Sequence, residues 1–170
     1  MFSGPASGKS ITAINVRAKL GFKGYDIELV EETIKEWTYI PRIPSVCDTH
    51  FIQANQIQKE DIRLRAGVDI IVSDSPLMLQ YFYAIYHKNP MQEPMRLAAV
   101  EFEKMYPSIN IFIDREDKFY NEVGRYEKLD EAKKIDNLIK DTLVLNDVPF
   151  VSFSCLDQKN IVKYIIEGLE

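Results

Sequence analysis

The segment from Gly4 to Ser10 reads Gly-Pro-Ala-Ser-Gly-Lys-Ser and contains residue types that can surround a polyphosphate. Its glycines let backbone amides approach phosphate oxygens, and the helix that follows adds partial positive charge at its N-terminus. Lys9 adds a full positive charge, and the Ser10 hydroxyl is a suitable ligand for Mg²⁺. The pattern predicts a nucleoside triphosphate site formed by Gly4, Pro5, Ala6, Ser7, Gly8, Lys9 and Ser10.

This phosphate loop departs from the G-x-x-x-x-G-K-[ST] pattern because Ser3 stands where the first glycine belongs, with Gly4 one residue further on. The simpler alternative is a glycine-rich turn that caps a helix and leaves Lys9 in solvent. The phosphate-binding interpretation is favoured because residues 11–20 supply the helix that the motif requires, with Ile11, Ile14 and Ala18 at helical spacing.

A second group of candidates consists of acids that follow predicted strands. Asp74 ends the apolar run 68–73 and can hold Mg²⁺ or accept a hydroxyl proton, although it could instead cap the helix opened by Pro76. Glu31 and Glu32 follow the predicted strand 25–30, and Glu32 is the favoured general base. The alternative is that both glutamates only favour the start of the next helix through its dipole.

Basic and amide side chains complete the predicted site. Arg115, Lys118 and Arg125 lie in a polar segment with a glycine, and arginines of this kind can close over a transferring phosphoryl group. Arg125 is the first choice for that role, and the alternative is a solvated charged hairpin or helix start. Gln56, on the long polar helix 49–66, has an amide that suits the edge of a nucleobase, or it is a surface glutamine with no such role.

Strands and helices must alternate to position these residues. Strands are predicted at 25–30, 68–73, 109–114 and 148–153, and helices at 11–20, 33–39, 49–66, 77–87, 93–105, 127–145 and 161–169. Only Met1, Phe2 and Ser3 precede the phosphate loop, whereas a buried strand runs about five or six residues. We therefore expect the first strand to be truncated, with residues missing ahead of Met1.

Composition indicates one ordinary globular domain. The chain has 170 residues, 46% of them hydrophobic and 28% charged, and no apolar run approaches the roughly 20 residues of a membrane span. Cys47 and Cys155 are its only cysteines, which favours a reducing, cytoplasmic setting over a disulfide framework. The net charge of −5 argues against a broad nucleic-acid-binding face but leaves room for a local basic cleft. His50 and His87 are assigned to no metal.

In chain order, the phosphate loop, Glu31-Glu32, Ser73-Asp74-Ser75-Pro76 and the segment from Asp114-Arg115 to Gly124-Arg125-Tyr126 resemble P-loop kinase-like ATPases related to the nicotinamide riboside kinase domain. Many phage proteins belong to that group. The resemblance covers nearly the whole chain and implies an α/β fold, a P-loop NTPase three-layer sandwich. Its parallel sheet would have five strands in the order 2-3-1-4-5, flanked by helices, with a lid at about residues 115–128.

The chain is also similar to deoxynucleoside kinases, in which a glutamate after the second strand acts as base and a glutamine on a later helix reads the nucleobase. By position these would be Glu32 and Gln56. Those enzymes carry an arginine beside the acid of the third strand, whereas Ser75 follows Asp74 here. One phage branch of similar proteins phosphorylates the hydroxymethyl group of 5-hydroxymethyluracil within DNA.

These observations lead to one hypothesis with two alternatives. The chain is expected to use ATP and Mg²⁺ to phosphorylate a hydroxyl of a nucleoside, nucleotide or modified base. Lys9 and Arg115 would bind the nucleotide, Ser10 and Asp74 the Mg²⁺, Glu32 and Gln56 the acceptor, and Arg125 would cover the γ-phosphate. The alternatives are a 5-hydroxymethyluracil DNA kinase, for which DNA is the partner, and an NTPase or nucleotide-binding switch acting with another protein. We expect no membrane association and the host cytoplasm if the protein is phage-encoded, and a dimer is compatible with the sequence.

Overall fold

Parallel strands form two pairs in the computed structural model, which describes residues 1–40, 44–117, 120 and 127–169. Strand β1 (Ile27–Val30) pairs with β2 (Ile70–Ser73), in a register that runs from Ile27 opposite Ile70 to Val30 opposite Ser73. Strand β3 (Ile111–Asp114) pairs with β4 (Val151–Ser154) in the same way. The predicted α/β class with parallel strands is therefore confirmed.

Residues Met1 and Phe2 lie between the two pairs. The Met1 nitrogen donates to the Ser73 carbonyl at 2.9 Å, on the edge of β2 that faces away from β1. Phe2 forms an isolated parallel bridge with Phe112 of β3. The prediction of a five-stranded sheet is wrong for the described residues, which form two two-stranded sheets. Met1 and Phe2 together make only a bridge, because a ladder needs a longer extended segment.

Helices connect these strands. They are α1 (Lys9–Gly21), a 3-10 helix (Thr33–Tyr39), α2 (Val46–Arg65), α3 (Leu77–Tyr86), α4 (Gln92–Met105), α5 (Leu129–Leu145) and α6 (Gln158–Leu169). Helix α2 begins before the predicted residue 49, because Ser45 and Asp48 form a capping box that bonds each side chain to the other residue's amide. None of the helices in the described ranges is both long and apolar enough to cross a bilayer.

Helix α1 carries two apolar stripes and buries one of them. Thr12, Ala13, Val16 and Leu20 are buried, whereas Ile11 is 73% and Ile14 is 53% exposed. Two stripes of α1 satisfy helical spacing, and the stripe with the smaller side chains faces the strands and α6.

The hydrophobic core lies on both faces of the strands. Phe2 and Phe112 pack with residues of α3, α4 and α5, whereas Ile111 and Ile113 pack with residues of α1 and α6. Successive side chains of a strand point to opposite faces, so helices cover the sheets from two sides.

A cavity of about 260 Å³ separates β2 from the segment leading into β3. Its walls include Met1, Phe2, residues 69–73 and residues 107–111, together with side chains from both core clusters. The cavity therefore lies between the two strand pairs, immediately ahead of the position where Phe2 bridges β3.

Candidate nucleotide-binding site

The phosphate loop enters α1 through left-handed backbone. Ala6 has a φ of 55° and Gly8 a φ of 91°, and Gly8 caps α1 without any side-chain hydrogen bond. The N–H groups of Gly8, Lys9 and Ser10 make no hydrogen bond to any residue in the described part of the chain. These amides and the helix dipole are available to an anion.

Ser3 explains how the loop tolerates a serine in place of the first glycine of the motif. Its hydroxyl is hydrogen-bonded to the hydroxyl of Ser7, and both residues are buried. This contact joins the entrance of the loop to its far side, so a buried hydroxyl pair closes the turn.

Lys9 and Asp74 meet beside the loop, as expected. The Lys9 Nζ lies 3.1 Å from Asp74 Oδ1, and the two side chains are 11% and 4% exposed. Burial raises the pKa of Asp74, but the Lys9 charge and hydrogen bonds from Ser10 and Lys9 outweigh it and leave that pKa below its ordinary value. Asp74 is therefore an ionised carboxylate at neutral pH.

The Ser10 hydroxyl and the Asp74 carboxylate supply oxygen ligands of the kind that Mg²⁺ prefers. Among the described residues no group of His, Cys, Asp or Glu could hold a metal by itself. Magnesium commonly takes only one or two protein ligands and completes its shell with water and substrate phosphates. The residues present thus fit a magnesium ion that arrives with a nucleotide.

Helix α5 brings an unpredicted acid to the loop. Asp136 accepts a hydrogen bond from the Gly4 amide at 2.6 Å through Oδ1 and one from Arg115 Nε at 2.5 Å through Oδ2. Asp136 lies in the same buried stripe of α5 as Ala132, Ile135 and Ile139. A charged residue within an apolar helical stripe was the available signal, but spacing alone did not reveal its partner.

The loop glycines lie too close to neighbouring groups to carry side chains. A Cβ on Gly4 would lie 2.7 Å from Asp136 Oδ1, and a Cβ on Gly8 would lie 2.9 Å from Cys155 Cβ. Cys155 follows β4, so the last strand of the sheet pair abuts the loop. Both contacts require glycine on steric grounds.

Comparison with known families agrees with this geometry. A family model described as an AAA domain matches residues 1–156. The chain belongs to this AAA domain family. No curated protein matches the chain. The matched range contains the phosphate loop, Asp74, Arg115, Asp136 and Cys155, and membership supports a P-loop NTPase-like protein that binds nucleotide.

Glu32 of the AAA domain follows a strand next to the one that Asp74 follows. Strand β1 ends at Val30 opposite Ser73, and the Asp74 amide donates to the Val30 carbonyl at 3.1 Å. Glu32 is half-buried at the start of the 3-10 helix, whereas Glu31 is exposed. No hydrogen bond within the described residues joins Glu32 to Lys9 or Asp74, so its role as base stays a prediction.

Gln56 points into the interior of the AAA domain and is 1% exposed. Its Nε2 donates to Glu60 Oε1 at 2.8 Å and to Ser73 Oγ at 3.2 Å, and the Ser73 hydroxyl donates to Glu60 at 2.6 Å. The Gln56 amide nitrogen is thus hydrogen-bonded within α2 and to the last residue of β2. The assignment of Gln56 to a nucleobase stays a prediction, and Gln56 would need to exchange these partners to fulfil it.

The predicted lid falls largely outside the described residues. Lys118, Gly124 and Arg125 lie in the ranges 118–119 and 121–126, so the role of Arg125 stays a prediction. Arg115 is described, its side chain is 6% exposed, and its guanidinium carbon lies 5.5 Å from the centre of the Tyr120 ring. Its Nη1 and Nη2 atoms are buried without a hydrogen-bond partner in the described part of the AAA domain.

Proposed function

We propose that this AAA domain is an ATP- and Mg²⁺-dependent phosphotransferase that moves the γ-phosphate to a hydroxyl of a nucleoside, nucleotide or modified base. The observation that carries the proposal is the Lys9–Asp74 contact of 3.1 Å beside helix-terminal amides that have no side-chain cap. A lysine, a set of free amides and a carboxylate in one place can bind triphosphate and its metal together.

The proposed binding mode assigns each part of the loop a task. Free amides of Gly8, Lys9 and Ser10 would donate to phosphate oxygens, and the Lys9 ammonium would approach the outer phosphates. Ser10 and Asp74 would hold Mg²⁺, which neutralises phosphate charge when bound. Arg115 would add positive charge at the nucleotide. Catalysis would come from positioning and charge stabilisation rather than from covalent chemistry.

In the proposed transfer, the bond between the γ-phosphorus and the bridging oxygen of ADP breaks as the acceptor oxygen bonds to that phosphorus. The acceptor hydroxyl proton passes to the Glu32 carboxylate, and ADP leaves with the electron pair of the broken bond. Glu32 is proposed over Asp74 because the Asp74 carboxylate already accepts from Lys9 and Ser10. Arg125 is proposed to cover the γ-phosphate, and Gln56 to contact the base.

The first test is Lys9→Ala compared with Lys19→Ala, which removes an exposed lysine from the same helix. We expect Lys9→Ala to lower transfer of labelled γ-phosphate by at least about 100-fold, as loss of a key electrostatic donor does, and Lys19→Ala to leave it unchanged. Thermal unfolding of each variant is measured as well, because Lys9→Ala leaves Asp74 buried without its counter-charge and this destabilises the fold. Lys9→Arg keeps that charge and is also expected to be inactive, since a guanidinium does not replace an ammonium in shape. Full activity of either Lys9 variant contradicts the proposal.

The acceptor is identified by incubating the protein with γ-labelled ATP and separate acceptors. These are nucleosides, nucleoside monophosphates and DNA that contains 5-hydroxymethyluracil. Label on one acceptor class supports the phosphotransferase and names its substrate. Release of labelled phosphate with every acceptor unlabelled would instead favour an NTPase that acts with a partner.

A further inference from the structure

Asp136 uses its two carboxylate oxygens for different partners. Oδ1 accepts from the Gly4 amide and Oδ2 from Arg115 Nε. One buried side chain thus contacts both the entrance of the phosphate loop and the arginine that follows β3. Gly4 and Asp136 are separated by 132 positions in the chain, so this link is a product of the fold.

The contact with Gly4 removes one amide from the set that can face a phosphate. The Gly4 N–H points to a carboxylate, which fixes where the loop begins its turn. Charge-assisted hydrogen bonds of this kind are shorter and stronger than neutral ones. The amides of Gly8, Lys9 and Ser10 at the start of α1 stay free of hydrogen bonds to the described residues, and Asp136 holds the opposite end of the loop in place.

The contact with Arg115 leaves two of its guanidinium nitrogens without a hydrogen-bond acceptor among the described residues. Only Nε is bonded to Asp136, whereas Nη1 and Nη2 are buried and unpaired in the described part of the chain. Nη2 would lie 3.3 Å from a Cβ on Gly4, so it is beside the loop entrance. Buried guanidinium N–H groups that lack acceptors are unfavourable, and an oxyanion beside them would satisfy them.

We propose that Asp136 is a positioning residue for nucleotide binding, which anchors the entrance of the phosphate loop and orients Arg115 so that its terminal nitrogens are available to the phosphates. Asp136 touches no phosphate itself and acts through Gly4 and Arg115. The inference rests on the proposed function to the extent that the loop must bind a nucleoside triphosphate.

The test compares Asp136→Asn with Asp141→Asn, which makes the same charge change at an exposed position of α5. Asparagine keeps an oxygen for the Gly4 amide but cannot supply carboxylate oxygens to both partners. We expect the dissociation constant and the KM for Mg·ATP to rise at least about tenfold, the value of one charge-assisted hydrogen bond. The KM for the acceptor should not change, and Asp141→Asn should match the unaltered protein.

A double variant tests whether Asp136 acts through Arg115. Arg115→Gln should weaken Mg·ATP binding by itself, and Asp136→Asn should add little to it, because effects within one contact network are not additive. If the two substitutions have fully additive effects on Mg·ATP affinity, Asp136 does not act through Arg115. Unchanged nucleotide affinity in a folded Asp136→Asn protein overturns the role, even when the thermal midpoint falls.

Two controls separate the possible failures. If the unaltered protein does not bind Mg·ATP in the same titration, both the proposed function and this inference fail. If the unaltered protein binds Mg·ATP and Asp136→Asn does not fold, the Mg·ATP affinity of Arg115→Lys is the deciding measurement. It keeps a positive charge beside Asp136 but loses the forked donors, so unchanged affinity in that variant overturns the inference.

Discussion

Gly4 and Gly8 of the phosphate loop are required for different reasons. Gly4 makes room for the Asp136 carboxylate and the Ala132 carbonyl of α5. Gly8 combines a left-handed backbone, with a φ of 91°, and a close approach to Cys155. The sequence marked both glycines for approach to phosphate, but the structure shows that neighbouring protein atoms already demand glycine at each position.

Gly8→Ala tests this double requirement, with Gly24→Ala as the matched control. Gly24 has a φ of 95° but nothing within 4 Å of a Cβ, so its replacement introduces backbone strain alone, about 1–2 kcal/mol. Gly8→Ala should reduce the free energy of unfolding by more than that and should also abolish ATP-dependent transfer. Urea unfolding of both variants measures the difference, and equal losses of stability would contradict the steric argument.

At the scale of elements, Glu60 ties helix α2 to strand β2. It is 5% exposed and accepts hydrogen bonds from Gln56 of the same helix and from Ser73 at the end of β2. Burial raises the pKa of Glu60 above its ordinary value, and the hydrogen bonds from Ser73 and Gln56 oppose that rise only in part.

This pKa gives stability a defined pH dependence. Between its unfolded and folded pKa values Glu60 binds a proton in the native state and not in the unfolded chain, so its contribution falls as pH rises through that window. Glu60→Gln should remove this fall while keeping an acceptor for Ser73. We expect the thermal midpoint of the variant, measured relative to that of the unaltered protein, to rise as pH increases above about 4.3, the ordinary pKa of a glutamate. Glu101→Gln, which removes a carboxylate at an exposed site, is the control for loss of charge. A relative thermal midpoint of Glu60→Gln that falls as pH rises would show that the ionised Glu60 carboxylate is stabilising.

The sequence predicted β2 and β3 well because each is a short apolar, β-branched run closed by a polar residue, whereas the predicted strand 148–153 begins three residues ahead of β4, in which Ser152 and Ser154 interrupt the apolar pattern. The predicted 68–73 contains β2, and the predicted 109–114 contains β3. Helical spacing predicted α1 but did not reveal its buried face, because spacing does not choose between two apolar stripes on one helix. That choice depends on which side chains fit against α6 and the strands, and this is a property of the assembled fold.

At the scale of the whole molecule, a cavity of about 260 Å³ lies between the two strand pairs. Strand β2 uses the backbone of Ile70 and Val72 to pair with β1, so Ile71 and Ser73 present their backbone groups to the cavity. Ile111 does the same from β3, where its carbonyl accepts from Phe2. The Ser73 and Ile111 carbonyls already accept from the Met1 nitrogen and the Phe2 amide, so the Ser73 and Ile111 amides on these facing edges are the groups that an added strand can reach.

We predict that an added polypeptide strand will occupy this cavity. An extension of about five β-branched residues fused ahead of Met1 should raise the thermal midpoint, because it buries apolar side chains among both core clusters. It should also slow amide hydrogen exchange at Ser73 and Ile111 by at least about tenfold. A glycine–serine extension of equal length is the control, and identical exchange with both extensions would show that the cavity does not accept a strand.

The candidate site shows where prediction from sequence stops. Lys9, Ser10 and Asp74 could be predicted because each lies in a short local pattern with a known chemical purpose, and the contact between Lys9 and Asp74 confirms that two of them lie together. Their roles stay predictions. Asp136 was missed because its two partners lie far away along the chain, and an acid on a helix has many possible roles. The inward position of Gln56 was also beyond reach, since a polar helix gives few signs of which amide turns toward a buried acid.

The salt bridge between Lys9 and Asp74 has a consequence for ligand choice. An anion that attracts the lysine draws it from its internal counter-ion and leaves a buried negative charge behind. A polyphosphate that brings its own divalent cation replaces the positive charge that Asp74 loses, whereas a metal-free anion does not. In the proposed site, the resting ion pair would therefore favour nucleotides that carry a divalent cation over metal-free phosphate compounds.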